Sequence, residues 1–203
     1  MNPVPRALRV AVADDEADTR QFLSEVLAQL GHRVVVVAET GKQLVELCRE
    51  TQPDLVITDI RMPDMSGTEA AAAVNREREV PVILLTAYTA TDFLQHAGPG
   101  HVMACLTKPI KPADLVSAIT LTTLRFEQFR QLTKEAASLR QALEDRKLIE
   151  RAKGIVMKRI RVDEEEAYRR LRKSASDQNI KLAELAQRVE AADGVFQQFE
   201  RNG

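Results

Sequence analysis

The chain has 203 residues, 44% of them hydrophobic and 29% charged, with 29 Lys/Arg against 30 Asp/Glu. That composition belongs to a globular protein and excludes low-complexity and collagen-like chains. No run approaches the roughly 18 consecutive apolar residues of a membrane span, and MNPVPRALRV lacks an apolar h-region, so no membrane association is expected and the expected location is cytoplasmic.

Residues 1–120 hold 11 Lys/Arg and 16 Asp/Glu, whereas residues 121–203 hold 18 and 14. An acidic part joined to a basic part implies two tasks, one of them compatible with a polyanion. The two cysteines, Cys48 and Cys105, lie in apolar runs without metal-ligand spacing. They read as reduced core thiols.

In chain order, short β-branched runs occur at Leu8–Ala13, Arg33–Ala38, Leu55–Thr58, Val82–Thr86 and Val102–Leu106. Helix-period segments lie near 16–30, 41–51, 67–78 and 89–97, and from 112 onward. Five strands alternating with helices predict an α/β fold with a parallel five-stranded sheet covered on both faces. From Pro112, which suits the first turn of a helix, no strong breaker appears until Gly154. A continuous helix to about Ile160 would be roughly 70 Å long at 1.5 Å per residue. Phe129, Ala136 and Leu143 recur every seven residues, with Leu132 and Leu139 between them. That spacing fits a short coiled-coil seam between two copies, or an amphipathic face packing on its own chain; the heptad spacing favours the dimer. Two further helices follow, Asp163–Gln178 with Asp163 as N-cap and Lys181–Val189, and then a tail expected to fray.

The strongest chemical pattern joins four strand ends. VAVADDE places Asp14 and Asp15 at the carboxyl edge of the first strand, and LVITDIRMPDMSG places Asp59 at the edge of the third. Thr86 ends the fourth, and Lys108 follows the fifth, before Pro109. In an open α/β sheet this edge is where ligands bind. Three clustered carboxylates repel one another unless a cation neutralises them, and Mg²⁺ suits a few carboxylates plus phosphoryl oxygens. Asp59 can then act as a carboxylate nucleophile, with Thr86 and Lys108 meeting the phosphoryl oxygens.

The set DD(E), D-x-x-M-P-x-x-x-G, T-A and K-P resembles the receiver domain of response regulators, with its flavodoxin-like fold. The resemblance implies phosphorylation of Asp59 by a sensor histidine kinase, with Mg²⁺ held by Asp14, Asp15, Asp59 and the backbone carbonyl of Arg61. It also implies that Pro63 and Gly67 shape the loop after the acceptor, and that Glu16 caps the next helix without a catalytic role. Such a protein is not an enzyme beyond its own phosphorylation and dephosphorylation. Receivers usually carry an aromatic residue three positions before the lysine; here that position is Cys105. Tyr88 is a candidate substitute and equally a half-buried loop tyrosine. Switching is therefore expected through the 89–97 helix and dimer packing, and the HAGPGH stretch before the fifth strand implies an unusual loop.

The C-terminal segment carries AKGIVM (Ala152, Lys153, Gly154, Met157), EEAYRRLR (Glu166, Ala167, Tyr168, Leu171), Ala175 and LAELA (Leu182–Ala186). These residues resemble the ANTAR domain, a three-helix RNA-binding module of antitermination regulators. Residues 146–181 hold 12 Lys/Arg and 6 Asp/Glu, a balance that would neutralise phosphates. Lys153, Lys158, Arg159, Arg169, Arg170, Arg172, Lys173 and Lys181 are the candidate RNA contacts, and Tyr168 is expected in the core. The expected division is receiver 6–120, helical coiled-coil linker 121–145, ANTAR domain 146–190 and flexible tail 191–203. The resemblance implies RNA stem-loops of nascent leader transcripts as targets and a homodimer when active. The alternatives are a DNA-binding regulator and a protein-binding adaptor.

Overall fold

The computed structural model describes residues 7–87 and 102–201, with side chains as far as 198. The strands are β1 (Arg9–Ala13), β2 (Arg33–Ala38), β3 (Leu55–Asp59), β4 (Val82–Thr86) and β5 (Val102–Thr107). They form one parallel sheet in the order β2-β1-β3-β4-β5. The helices are α1 (Ala17–Gln29), α2 (Gly41–Thr51), α3 (Gly67–Glu77), α4 (Pro112–Ile160), α5 (Glu164–Asp177) and α6 (Leu182–Arg201). The strands sit within a residue of their expected bounds. Tyr88, the 89–97 helix and the HAGPGH stretch fall outside the described residues.

The period of two explains why the central strands read as unbroken apolar runs. Val10, Val12, Leu55, Ile57, Ile83 and Leu85 point to one face and pack with Leu23 and Leu27 of α1 and Leu115 and Ile119 of α4. Ala11, Ala13, Val56, Val82 and Leu84 point to the other, against Leu44 and Cys48 of α2 and Ala70 and Val74 of α3. Both faces of these central strands are covered, so the positions facing the helices are apolar and polar residues (Thr58, Asp59, Thr86) appear only at the carboxyl ends. The strand order reverses around β1 and β3, the place where a doubly wound sheet opens a crevice at its carboxyl edge.

Helix starts follow local chemistry. The Thr40 hydroxyl accepts from the Gln43 amide at α2. Ser66 and Glu69 form a reciprocal capping box at α3. Gly67 lies under that cap because its amide donates to the Ile60 carbonyl at 3.0 Å. A Cβ there would lie 1.9 Å from the Asp59 carbonyl oxygen and 2.8 Å from Thr58 Oγ1. The glycine of the D-x-x-M-P-x-x-x-G motif thus lets the α3 terminus reach the Asp59 backbone.

The chain divides into two compact units, residues 1–130 and 131–203. In the second, Ala152, Leu171, Ala175, Leu185 and Ala186 form a core from the end of α4, α5 and α6. Alanines dominate this core, which lets three helices approach closely. Asp163 caps α5 as expected, accepting from the Glu166 amide at 2.8 Å. Arg161 and Asn179, both at φ 53°, end the preceding helices. Within α4, residues 130–144 are exposed, and Leu132, Leu139 and Leu143 are 65%, 61% and 58% accessible. In this single chain, then, those three leucines do not pack on their own fold.

Two expectations change here. Residues 191–201, expected in a frayed tail, continue α6 as helix to Arg201. Glu190 pairs with Arg151, and Asp193 with Arg159, whose guanidinium also lies 5.3 Å from the Phe196 ring centre. These contacts tie the extension to α4. Tyr168 is 42% exposed on α5, and Ala167 and Leu171 take the buried positions instead. The stripe facing the core is narrower than the spacing implied.

Gly67→Ala is expected to destabilise the chain by more than about 2 kcal/mol, because the clash is with backbone that cannot rotate away. Urea denaturation checks this.

Candidate functional site

Asp14 begins the loop after β1 and is fully buried; Asp59 ends β3 and is 8% exposed; Asp15 is exposed. One carboxylate oxygen from each lies within 4.8 Å of the others. Lys108, reached by the turn after β5, sits among them. Its ammonium is 2.9 Å from Asp59 Oδ2, 2.9 Å from Asp14 Oδ2 and 3.1 Å from Glu16 Oε2. The Lys108 amide donates to the Thr86 carbonyl at 2.7 Å, which fixes the turn to the end of β4; the Lys108–Pro109 bond is cis. Thr86 is buried at that end, and its neighbour Leu85 is in register with Asp59. The parallel sheet thus brings four of the predicted residues, Asp14, Asp15, Asp59 and Lys108, into direct proximity and sets Thr86 on the adjacent strand end.

Three carboxylates meet one ammonium and a fourth, Asp15, lies beside them, so the site is anionic. Burial raises the Asp14 carboxyl above its ordinary range, although hydrogen bonds from Lys108 and from the Glu16 amide oppose the shift. Burial would depress the Lys108 ammonium, but hydrogen bonds to Asp59, Asp14 and Glu16 outweigh it and push it upward. Asp14 Oδ2 lies close to Nζ but off hydrogen-bonding geometry, so it is a buried oxygen without a directional partner. Such an oxygen, beside two further carboxylates, fits a hard divalent cation. A shallow cleft lined by Asp15, Arg61, Met62, Pro63 and Ser66 opens beside it. The Arg61 amide lies 3.4 Å from Asp59 Oδ1, at the long end for a hydrogen bond.

Glu16 departs from expectation. It occupies the N-cap position of α1, yet its side chain makes no cap hydrogen bond. Its carboxylate instead accepts from Thr19 Oγ1 at 2.9 Å and meets Lys108. Contact across 92 residues cannot be read from spacing, although its adjacency to Asp14 and Asp15 was a signal. Cys105 is half-buried beside the α2–α3 core layer, and burial pushes its thiol up. Cys48 is buried deeper, with its thiol pushed up to about 12, so both read as inert core thiols.

In the helical unit the eight candidate cations separate into classes. Lys153 is only 8% exposed and bridges Glu150 at 2.8 Å and Glu164 at 2.6 Å, joining α4 to the start of α5. Those partners raise its ammonium. Arg169 and Arg170 both pair with Glu166, and Arg159 pairs with Asp193. Lys158, Arg172, Lys173 and Lys181 are exposed. Among the described residues, Arg172, Lys173 and Lys181 have no ion-pair partner.

A doubly wound parallel sheet with an acidic cluster, a lysine and a threonine at its carboxyl edge defines a receiver-type domain, here followed by a small helical domain. The chain belongs to the response-regulator family: residues 10–120 match the response regulator receiver domain, and residues 137–189 match the ANTAR domain. It is 38% identical over 186 residues to the transcriptional regulatory protein PdtaR of Mycobacterium tuberculosis, covering 92% of this chain and 90% of that protein. Among solved structures it resembles the chemotaxis protein CheY4 of Vibrio cholerae, with 26% identity and a TM-score of 0.53 over 57% of this chain and 98% of that one. It also resembles the receiver domain of the response regulator NarL of M. tuberculosis, with 30% identity and a TM-score of 0.53 over 57% of this chain and 95% of that one. The protein is thus a two-component response regulator with a receiver and an ANTAR domain. Among the described residues, no helix is long and apolar enough to cross a membrane.

The raised Asp14 carboxyl means that the folded state holds its proton more tightly than the unfolded chain does. Stability from this group therefore falls as pH rises through the range above the ordinary value of 3.8. Asp14→Asn is expected to raise metal-free stability at pH 7 by about 0.5–2 kcal/mol, with the gain shrinking as pH drops towards 4. Thermal melts in chelator across this range check the sign.

Proposed function

We propose that Asp59 is the phosphoacceptor of this regulator and that the ANTAR domain delivers the response by binding RNA. The supporting observation is the cluster itself: three carboxylates within 4.8 Å of one another, with Lys108 2.9 Å from Asp59. An Asp59 carboxylate oxygen attacks the phosphorus of a kinase phosphohistidine, the P–N bond breaks, and an acyl phosphate forms as imidazole leaves. Asp14, Asp15 and Asp59, with the Arg61 carbonyl, would hold Mg²⁺, which when bound neutralises charge on the phosphoryl oxygens. Lys108 is released from Asp59 and takes a phosphoryl oxygen, and Thr86 donates to another. The added charge of about −2 redistributes the contacts of Lys108 and biases the domain between two states.

The exposed leucines of α4 give the output its second copy. Leu132 and Leu139, with Leu143 four residues on, form the core of a short parallel seam. Two ANTAR domains on that seam would bind paired stem-loops of a nascent leader transcript with raised effective concentration, disfavouring a terminator. Arg172, Lys173, Lys181 and Lys158 are assigned to phosphates, because these cations stay exposed and the first three lack acidic partners. Tyr168, exposed one turn before Arg172, is assigned to stacking on an unpaired base. Lys153 is assigned to holding the α4–α5 corner.

Acetyl phosphate with Mg²⁺ should phosphorylate the chain, and Asp59→Asn or chelator should abolish it. Beryllofluoride should raise the dimer fraction and the affinity for tandem hairpin RNA together. Incorporation into Asp59→Asn at the native rate would refute the acceptor assignment. Preference for duplex DNA over hairpin RNA would favour the DNA-binding reading, and indifference to both would favour an adaptor. Arg172→Ala and Lys181→Ala should each lower the slope of log affinity against log salt by about 1, read by fluorescence anisotropy. Tyr168→Ala should weaken binding by about 1–3 kcal/mol with little change of slope.

A further inference from the structure

Arg20 on α1 lies outside the carboxylate cluster, but its guanidinium is bonded to the cluster's backbone. Nη1 donates to the Asp14 carbonyl at 2.8 Å and to the Asp15 carbonyl at 3.0 Å. Nη2 pairs with Glu39 Oε1 at 2.8 Å, and the Arg20 side chain is only 12% exposed. Glu39 is itself held, since its amide donates to Gln43 Oε1 at 2.8 Å. The Asp14 amide donates to the Ala38 carbonyl. A guanidinium presents a rigid planar fork, and this one spans two consecutive carbonyls and the carboxylate of Glu39, whose backbone is held on the loop after β2.

The three carboxylates of the cluster are not oriented alike. Asp14 is held through its side chain by Lys108 and by the Glu16 amide. Asp59 is held by Lys108. Among the described residues, no hydrogen bond or ion pair holds the Asp15 carboxylate. What directs Asp15 is its backbone, and the group bonded to that backbone's carbonyl is Arg20. Fixing two successive carbonyls fixes the ψ angles of Asp14 and Asp15, and so the direction in which the Asp15 side chain leaves the chain.

We propose that Arg20 is a positioning residue for the divalent-cation site: by clamping the Asp14 and Asp15 carbonyls to Glu39 it aims the otherwise unsupported Asp15 carboxylate at the cation. The proposal rests on the reading that Asp14, Asp15 and Asp59 bind Mg²⁺. Arg20 touches neither the cation nor the phosphoryl group. Its charge is met by Glu39 and the carbonyl dipoles, so its effect on a nearby cation is one of geometry more than repulsion.

The test titrates Mg²⁺ alone into the full-length chain by calorimetry, well below the melting midpoint of every variant. Arg20→Ala should weaken Mg²⁺ by about tenfold, the lower end of what losing an outer-shell partner costs a metal site. Arg20→Lys, which cannot span both carbonyls and Glu39, should recover part of it. The Mg²⁺ concentration for half-maximal acetyl-phosphate labelling should rise, with the rate at saturating Mg²⁺ retained. Arg20→Ala should add nothing in an Asp15→Asn background, because it acts through Asp15. Glu39→Gln, which leaves Arg20 in place but loosens its anchor, should give a smaller loss and serves if Arg20→Ala does not fold. If Asp15→Asn itself leaves Mg²⁺ affinity unchanged, the metal-site reading fails. If Asp15→Asn weakens Mg²⁺ but Arg20→Ala and Glu39→Gln do not, the Arg20 inference fails alone. An equal further loss on adding Arg20→Ala to Asp15→Asn would also overturn it.

Discussion

The structure depends on a concentration of negative charge held by one ammonium. Asp14, Glu16 and Asp59 all meet Lys108, with Asp15 beside them. Such a cluster opposes folding unless its charge is compensated. Lys108 offsets only part of it and leaves a buried Asp14 oxygen without a directional partner. The compensation is therefore incomplete in a way that favours a cation. Under the proposed function, a phosphoryl group that competes for Lys108 would rearrange the contacts now holding the edge together, so stability and switching would be linked through the same few atoms.

The parallel sheet makes this concentration possible. Antiparallel neighbours would carry alternate strand ends to opposite edges; parallel strands carry β1, β3, β4 and the turn after β5 to one edge. Full burial of both faces keeps those ends fixed. The close approach of α3 at Gly67 and the bond from the Lys108 amide to Thr86 leave the edge little room to relax. The helical domain is built differently. Its alanine-rich core and the Lys153 bridge set three helices at close range, while polar residues outside that stripe remain on the surface.

Much of this was legible in particular residues. The β-branched runs located the strands because doubly buried strands are apolar along most of their length. The motif residues identified the edge because their types are those the chemistry requires. The helix start at Asp163 was legible because capping is local. Three features failed, each for a nonlocal reason. Lys153 reads as a surface cation until its glutamates are seen to enclose it. Tyr168 lies at helical spacing for the core, but Ala167 and Leu171 fill the available width. Residues 191–201 look like a tail until Asp193 and Phe196 are seen to meet Arg159.

The sequence by itself determined the element order, the two-part organisation and the residue types at the acidic edge. These follow from periodicity, capping and motif spacing, which act within a few residues. Only the tertiary structure decided which charges meet. Lys108 pairs with Glu16 across 92 positions, and Arg20 reaches the Asp14 and Asp15 carbonyls and Glu39 on the next loop. Charge pairing depends on where the folded backbone carries each side chain, and residue type alone does not carry that information.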